Sequence, residues 1–220
     1  MKKKLFCIVL SLAMVVVFMP AMSLPAFADS EGPAAKVGNT EYTELQEAVN
    51  HAGTVELLKD VNLGSTPLEI GTRTVTINLN DFKITGNINV GKSDKTGGSL
   101  TIKDDAVNGH GTGTVAGTIT NYGKLTLEDG YFDYVDNLGS GTCVINGGVF
   151  KELLESDPNL VSNKSTAKNS MVINGGTFNG TRLSVVNSSL TINNGTFDGA
   201  SFVVKGGKTK VVVANGEFKN

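Results

Sequence analysis

Apolar and polar positions alternate along much of this chain, and in the last third the alternation breaks at a fixed place. The pattern apolar-x-apolar-x-x-Gly-x-Phe occurs five times: Leu125 to Phe132, Cys143 to Phe150, Met171 to Phe178, Leu190 to Phe197 and Val211 to Phe218. Successive glycines, Gly130, Gly148, Gly176, Gly195 and Gly216, are 18, 28, 19 and 21 residues apart, and the phenylalanines keep those spacings. Insertions therefore fall between copies, which makes each copy a structural unit with a variable connection. The longest connection, Glu152 to Asn169, carries Ser156-Asp157-Pro158-Asn159 and reads as a loop leaving the repeat.

Aligning the copies separates two faces. Leu125, Cys143, Met171, Leu190 and Val211 occupy one column, and Leu127, Ile145, Ile173, Ile192 and Val213 the column two residues on. Period two with one strictly apolar face predicts a strand with that face buried. Glu128, Asn146, Asn174, Asn193 or Ala214 follows, then Asp129, Gly147, Gly175, Asn194 or Asn215, both turn-forming sets. A strand, a tight turn and a second short strand about every 20 residues, with one Phe per repeat, describes a parallel β-solenoid. Stacked coils would line up Asn146, Asn174 and Asn193 as a hydrogen-bonded ladder and pile the phenylalanines inside. An antiparallel sandwich would need hairpin chemistry between adjacent strands, and a propeller a repeat of about 40 residues or more.

Weaker alternation extends towards the N-terminus in Thr74 to Leu79, Ser99 to Lys103 and Gly117 to Thr120. Thr43-Glu44-Leu45-Gln46 reads as a capping box opening a short helix that ends near Gly53, with Leu45, Ala48 and Val49 turned inward. Val55 to Leu58 then starts the first coil, and the helix covers its open edge. The expected fold is all-β: a right-handed, single-stranded parallel β-helix of about eight coils over residues 54–220, about 40 Å long at ~4.8 Å per strand. Residues 29–53 form its N-terminal segment and capping helix.

The first 28 residues stand apart. Lys2, Lys3 and Lys4, the apolar run Leu5 to Phe18 and the site Ala26-Phe27-Ala28 make a secretory signal peptide cut before Asp29. Its removal takes three lysines and no acid, so the formal charge falls from −2 to −5. A mildly acidic, exported protein is suited neither to nucleic acid nor to an anionic membrane surface. Cys7 leaves with the signal, and Cys143 remains as a single interior thiol.

Three segments carry a family resemblance: Thr43-Glu44-Leu45-Gln46-Glu47-Ala48-Val49, Gly53 to Val61, and Ile77-Asn78-Leu79-Asn80-Asp81-Phe82-Lys83-Ile84-Thr85-Gly86. They resemble the opening of pectate-lyase-like right-handed β-helix domains from secreted and surface proteins of Gram-positive bacteria, and the Gly-Gly-Thr-Phe motifs resemble their later coils. Such proteins are described as adhesin-like or carbohydrate-associated. The resemblance implies a secreted, extracellular protein that binds polysaccharide or a host-surface ligand. Unlike in the anchored members, no sorting signal or apolar tail is expected after Asn220.

The chemistry legible in the sequence is sparse. A sugar lyase on this fold needs an Arg or Lys base and a Ca²⁺-binding carboxylate cluster, yet Arg73 and Arg182 each lack an acidic neighbour. Asp104-Asp105 and Glu128-Asp129 read as solvated turn acids, His51 as the end of the capping helix and His110 as part of a glycine-rich loop. No catalytic residue, metal site or cofactor is expected. Tyr122 and Tyr131, predicted to face outward, are the candidate binding residues, because exposed tyrosines stack on sugar rings. The alternative is a structural subunit that self-associates through its open C-terminal coil. Thr-x-Thr arrays such as Thr74-Val75-Thr76 suggest ice binding, but the threonines are not expected to recur at one aligned outward position.

Overall fold

Each copy of the repeat folds as its alternation requires, and the copies stack in register. The computed structural model describes residues 32–93, 97–105, 111–151, 160–164 and 169–220. The signal segment, His110 and the Ser156-Asp157-Pro158-Asn159 turn lie outside the described residues. From Pro33 onward the chain winds into a parallel β-solenoid of seven full turns, and two strands of an eighth follow.

The first face of each turn is a strand of four or five residues. In order these are β3 (Gly53–Leu57), β6 (Thr74–Asn78), β9 (Ser99–Lys103), β11 (Lys124–Leu127), β13 (Thr142–Ile145), β16 (Ser170–Ile173), β19 (Ser189–Ile192) and β22 (Lys210–Val213). All pair in parallel without a register slip, so Leu125, Cys143, Met171, Leu190 and Val211 form one column. The second sheet has two arms, which are the second and third faces of the coil. One arm holds β4 (Val61–Asn62), β7 (Lys83–Thr85), β14 (Val149–Lys151), β17 (Thr177–Asn179), β20 (Thr196–Asp198) and β23 (Glu217–Lys219). The other holds β5 (Leu68–Gly71), β8 (Ile88–Val90), β15 (Leu160–Lys164), β18 (Arg182–Val186) and β21 (Ser201–Lys205). Two long strands, β10 (Thr114–Asn121) and β12 (Tyr131–Leu138), run across both arms, with a bulge between Val115 and Thr118 where β10 turns the corner.

The interior contains one aliphatic column per inward position and one aromatic stack. Phe132, Phe150, Phe178, Phe197 and Phe218 follow one another with ring centroids 5.4, 4.7, 4.8 and 4.8 Å apart. Such spacing places each ring in contact with the next. Gly148 shows why the motif glycine precedes the phenylalanine: its φ is +88°, and a Cβ there would stand 2.7 Å from the Phe132 ring. Cys143 is buried as expected, and loss of solvent pushes its thiol up to about 12.

Asparagines stabilise the corners. On the surface Asn174 donates to Asn146 and Asn193 to Asn174, both at 2.8 Å, and Asn146 donates to the Glu128 carboxylate at 3.0 Å. A second ladder runs inside the coil, where Asn121, Asn137 and Asn163 are fully buried. Asn121 donates to Asn137 at 2.7 Å, Asn137 to Asn163 at 2.8 Å, and Asn163 to the Ser189 carbonyl at 2.7 Å. Buried amides are tolerated because their donors and acceptors find partners along the ladder.

Three expectations need correction. The connection after Glu152 is not all loop: Leu160–Lys164 is β15, paired between β12 and β18. Its inward residues are Val161 and Asn163, so half of its buried face is polar and the apolar alternation disappears. The capping box does not form either. The helix α1 (Leu45–Asn50) has Glu44 at its N-cap with no side-chain cap. Gln46 instead pairs with the free edge of β5, accepting from the Glu69 N–H at 2.8 Å and donating to the Glu69 carbonyl at 3.0 Å. Finally, the edge of β3 is covered by a hairpin, β1 (Ala35–Val37) and β2 (Thr40–Tyr42), which lies antiparallel on it. The helix closes the end of the core, with Leu45, Ala48 and Val49 buried. The His51 ring rests on Tyr42, centroids 4.9 Å apart.

Candidate functional site

Outward positions also form columns, and one of them assembles a surface site of mixed chemistry. On the second face Lys83, Thr114, Tyr131, Val149, Thr177, Thr196 and Glu217 are successive register neighbours. Around Tyr131 this column borders a groove of about 350 Å³ that also contains Thr112 and Asp133. Thr112 is held there by Asp81, whose Oδ1 accepts from its backbone N–H at 2.9 Å and its hydroxyl at 3.2 Å. Lys83 is exposed, whereas Tyr131 and Asp133 are half-buried. Burial raises the Asp133 carboxyl above its ordinary range, opposed by the Lys83 ammonium and by the Gly117 N–H it accepts from. The β10 bulge, where Gly117 sits, therefore delivers a donor to this carboxylate.

An aromatic face, a cation, an anion and two hydroxyls converge in one groove. Past Val149 it opens onto a shallow shoulder of about 440 Å³ built by Gly147, Gly148, Gly175, Gly176 and Gly195. The shoulder lies next to the exposed Asn146, Asn174 and Asn193 ladder in sequence and runs with it from coil to coil.

Tyr122 lies elsewhere. It borders a separate cavity of about 390 Å³ at the start of the first face, with Thr74, Ser99, Lys124, Ser140 and Thr142. Its ring rests against Gly139, where a Cβ would come within 3.3 Å of it. The two tyrosines named from the sequence thus do not share a site, and only Tyr131 joins a carboxylate.

The paired acids are structural. Asp104 is buried and accepts from the backbone N–H of Asp81 at 2.8 Å and of Gly113 at 2.7 Å. Asp105 pairs with Lys103, Glu128 ends the asparagine ladder, and Asp129 accepts from Gly130 N–H at 2.8 Å. Arg73 donates to the Ile70 carbonyl at 3.2 Å, and Arg182 starts β18 on the third face. Neither arginine enters the Tyr131 groove. Among the described residues no three His, Cys, Asp or Glu side chains cluster as metal ligands.

The expected scatter of threonines is also corrected. Thr54, Thr76, Thr101 and Thr126 are register neighbours in one outward column of the first face. Val144 and Val172 interrupt the column before Thr191, and Lys124 interrupts the neighbouring one.

Lys83 and Asp133 escaped the sequence reading. Nothing around Lys83 marks it as a neighbour of Tyr131 two coils later, because the connections between coils differ in length. Only the register joins them. The chain matches no family model, no curated protein and no solved structure.

Proposed function

We propose that this chain is a non-catalytic, exported β-helix module that binds extracellular polysaccharide or a host-surface glycan through the groove around Tyr131. The observation that carries the reading is the convergence of Tyr131, Lys83, Asp133, Thr112 and Thr114 in one open groove. A sugar presents an apolar ring face edged with hydroxyls. Tyrosine stacks on the former, while a carboxylate and an ammonium bind the latter. The glycine shoulder leaves room for further residues of an extended chain along the coil axis. The resemblance of the opening segments to pectate-lyase-like, adhesin-like proteins supports the same class of ligand. The lyase reading is disfavoured because Lys83 meets a single carboxylate in the groove, Asp133, where Ca²⁺ would need a cluster, and the turn acids bond to backbone or neighbouring side chains.

A glycan array probed with the purified chain tests the proposal, with hits then titrated by calorimetry. Tyr131→Ala should weaken binding at least about tenfold, the scale of one lost aromatic contact, and Tyr122→Ala should leave it unchanged. Equal affinity for wild type and Tyr131→Ala would place the ligand elsewhere. Export is tested by N-terminal sequencing of material from the culture medium, which should begin at Asp29.

A further inference from the structure

The Tyr131 groove contains two side chains that sugar hydroxyls alone do not require. Ala116 and Val149 are half-buried and line it beside the charged and hydroxyl groups. The register of β10 on β12 shifts between Val115 and Thr118, so Ala116 and Gly117 together lie opposite the single residue Asp133. The bulge thereby sets a methyl group beside a carboxylate, one strand spacing of about 4.8 Å away. Thr114 lies beside Tyr131 in the same way. The outward side chains thus mark out a rectangle, with Thr114 and Ala116 on one strand and Tyr131 and Asp133 on the next. Lys83 extends the Thr114 corner by one coil.

We propose that this rectangle binds the acetamido group of an N-acetylated amino sugar, a proposal that rests on the reading of Tyr131 as the platform for a sugar ring. A secondary amide is planar and trans. Its N–H and its methyl therefore point to one side, and its carbonyl oxygen and the ring carbon to the other. With the ring over Tyr131, the N–H meets Asp133 and the methyl meets Ala116. The carbonyl oxygen then lies over Thr114. The Thr114 hydroxyl donates to the Thr112 carbonyl at 2.9 Å and the Thr112 hydroxyl to Asp81 at 3.2 Å, so the exposed Lys83 ammonium is the donor left for that oxygen. Val149, one coil past Tyr131, continues the apolar surface under the ring.

A plain hexose uses less of the groove. A carboxylate only accepts, so Asp133 can take the proton of a hydroxyl as well as that of an amide. The hydroxyl, however, carries no methyl for Ala116 and no carbonyl for Lys83. The acetamido group supplies both from a single substituent, and its fixed plane matches the fixed spacing of the two strands.

Calorimetry on matched pairs tests the proposal: oligomers of N-acetylglucosamine and N-acetylgalactosamine against glucose and galactose oligomers of the same length and linkage. The N-acetylated member of a pair should bind at least about tenfold tighter than its parent, the scale of one hydrogen bond to a charged group and one covered methyl. Ala116→Leu, which fills the methyl position, should bring that ratio close to one. Asp133→Ala, which removes the N–H acceptor, should lower it too, and circular dichroism melts should show both variants folded. Parents that bind as tightly as their N-acetylated partners, with both weakened by Tyr131→Ala, would overturn the acetamido assignment and leave the groove reading standing. A preference that survives both variants would overturn it as well, because the amide would then be read elsewhere. If no pair binds, the acetamido assignment and the groove reading fall together.

Discussion

The two ends of this solenoid carry the same inward alternation and meet different fates. At the N-terminal end the inward Val55, Leu57, Leu68 and Ile70 of the first coil are buried, and Val61 is partly buried. Hairpin β1–β2 pairs with the edge of β3, the Gln46 carboxamide pairs with the edge of β5, and Leu45, Ala48 and Val49 cover the core. At the C-terminal end Val211, Val213 and Phe218 sit in the same columns as Leu190, Ile192 and Phe197 but are exposed. The comparison teaches that a coil does not own its core. Each coil buries its apolar face only against its neighbours, so stability depends on position along the stack.

The sharpest test of this contrast uses one residue type at two positions. Phe178→Ala, in the middle of the aromatic stack, should cost about 3–5 kcal/mol in urea unfolding, the usual loss for a fully buried Phe. Phe218→Ala, at a half-exposed ring, should cost about 1 kcal/mol or less. Equal losses would mean that the last turn is as well packed as the rest. Next in size is the interior ladder. Asn137→Leu leaves the buried Asn163 oxygen without its donor and takes one of two bonds each from the Asn121 amide, which keeps the Thr142 carbonyl, and the Gly141 carbonyl, which keeps the Ser170 N–H, and should cost about 2–3 kcal/mol. The same measurement reads it.

The capped end can be opened deliberately. Gln46→Leu keeps the bulk but frees the Glu69 N–H and carbonyl, for an expected loss of about 1–2 kcal/mol. Hydrogen exchange at Glu69 should accelerate while exchange in β16 stays slow. Conversely, Ala214→Asn extends the surface ladder beyond Asn193 and should add about 0.5 kcal/mol at the open end.

The smallest effect concerns the groove. Burial raises the folded-state pKa of Asp133, so its charged form is penalised in the fold. Between the ordinary aspartate value and that raised value the native state holds more protons than the unfolded state. Stability therefore rises as pH falls through this window and is lower above it. Asp133→Asn should abolish this slope in melts recorded across mildly acidic pH; an unchanged slope would assign it to another group.

Legibility followed the chemistry of the inward positions. Leu125, Ile145, Met171 and Phe178 announce strands because an apolar inward face alternates with an outward one, and the solenoid, the Phe stack and the Asn146 ladder could be read directly. Strand β15 could not, since inward Asn163 looks like a loop residue until Asn137 is seen beside it. Thr43 and Gln46 matched a capping box by spacing, yet Gln46 serves the strand edge at Glu69. Tyr131 was recognisable as an outward aromatic, but its difference from Tyr122 was not.

By itself the sequence determined the class of fold, because period two, a glycine turn and one phenylalanine about every 20 residues admit few other ways of burying the apolar columns. It also determined that Cys143 lies inside. Tertiary structure alone decided the site. Tyr131 and Asp133 share one strand, but connections of unequal length separate them from Lys83, and only the parallel hydrogen-bond register, which follows the coils and not the residue count, sets all three in one groove.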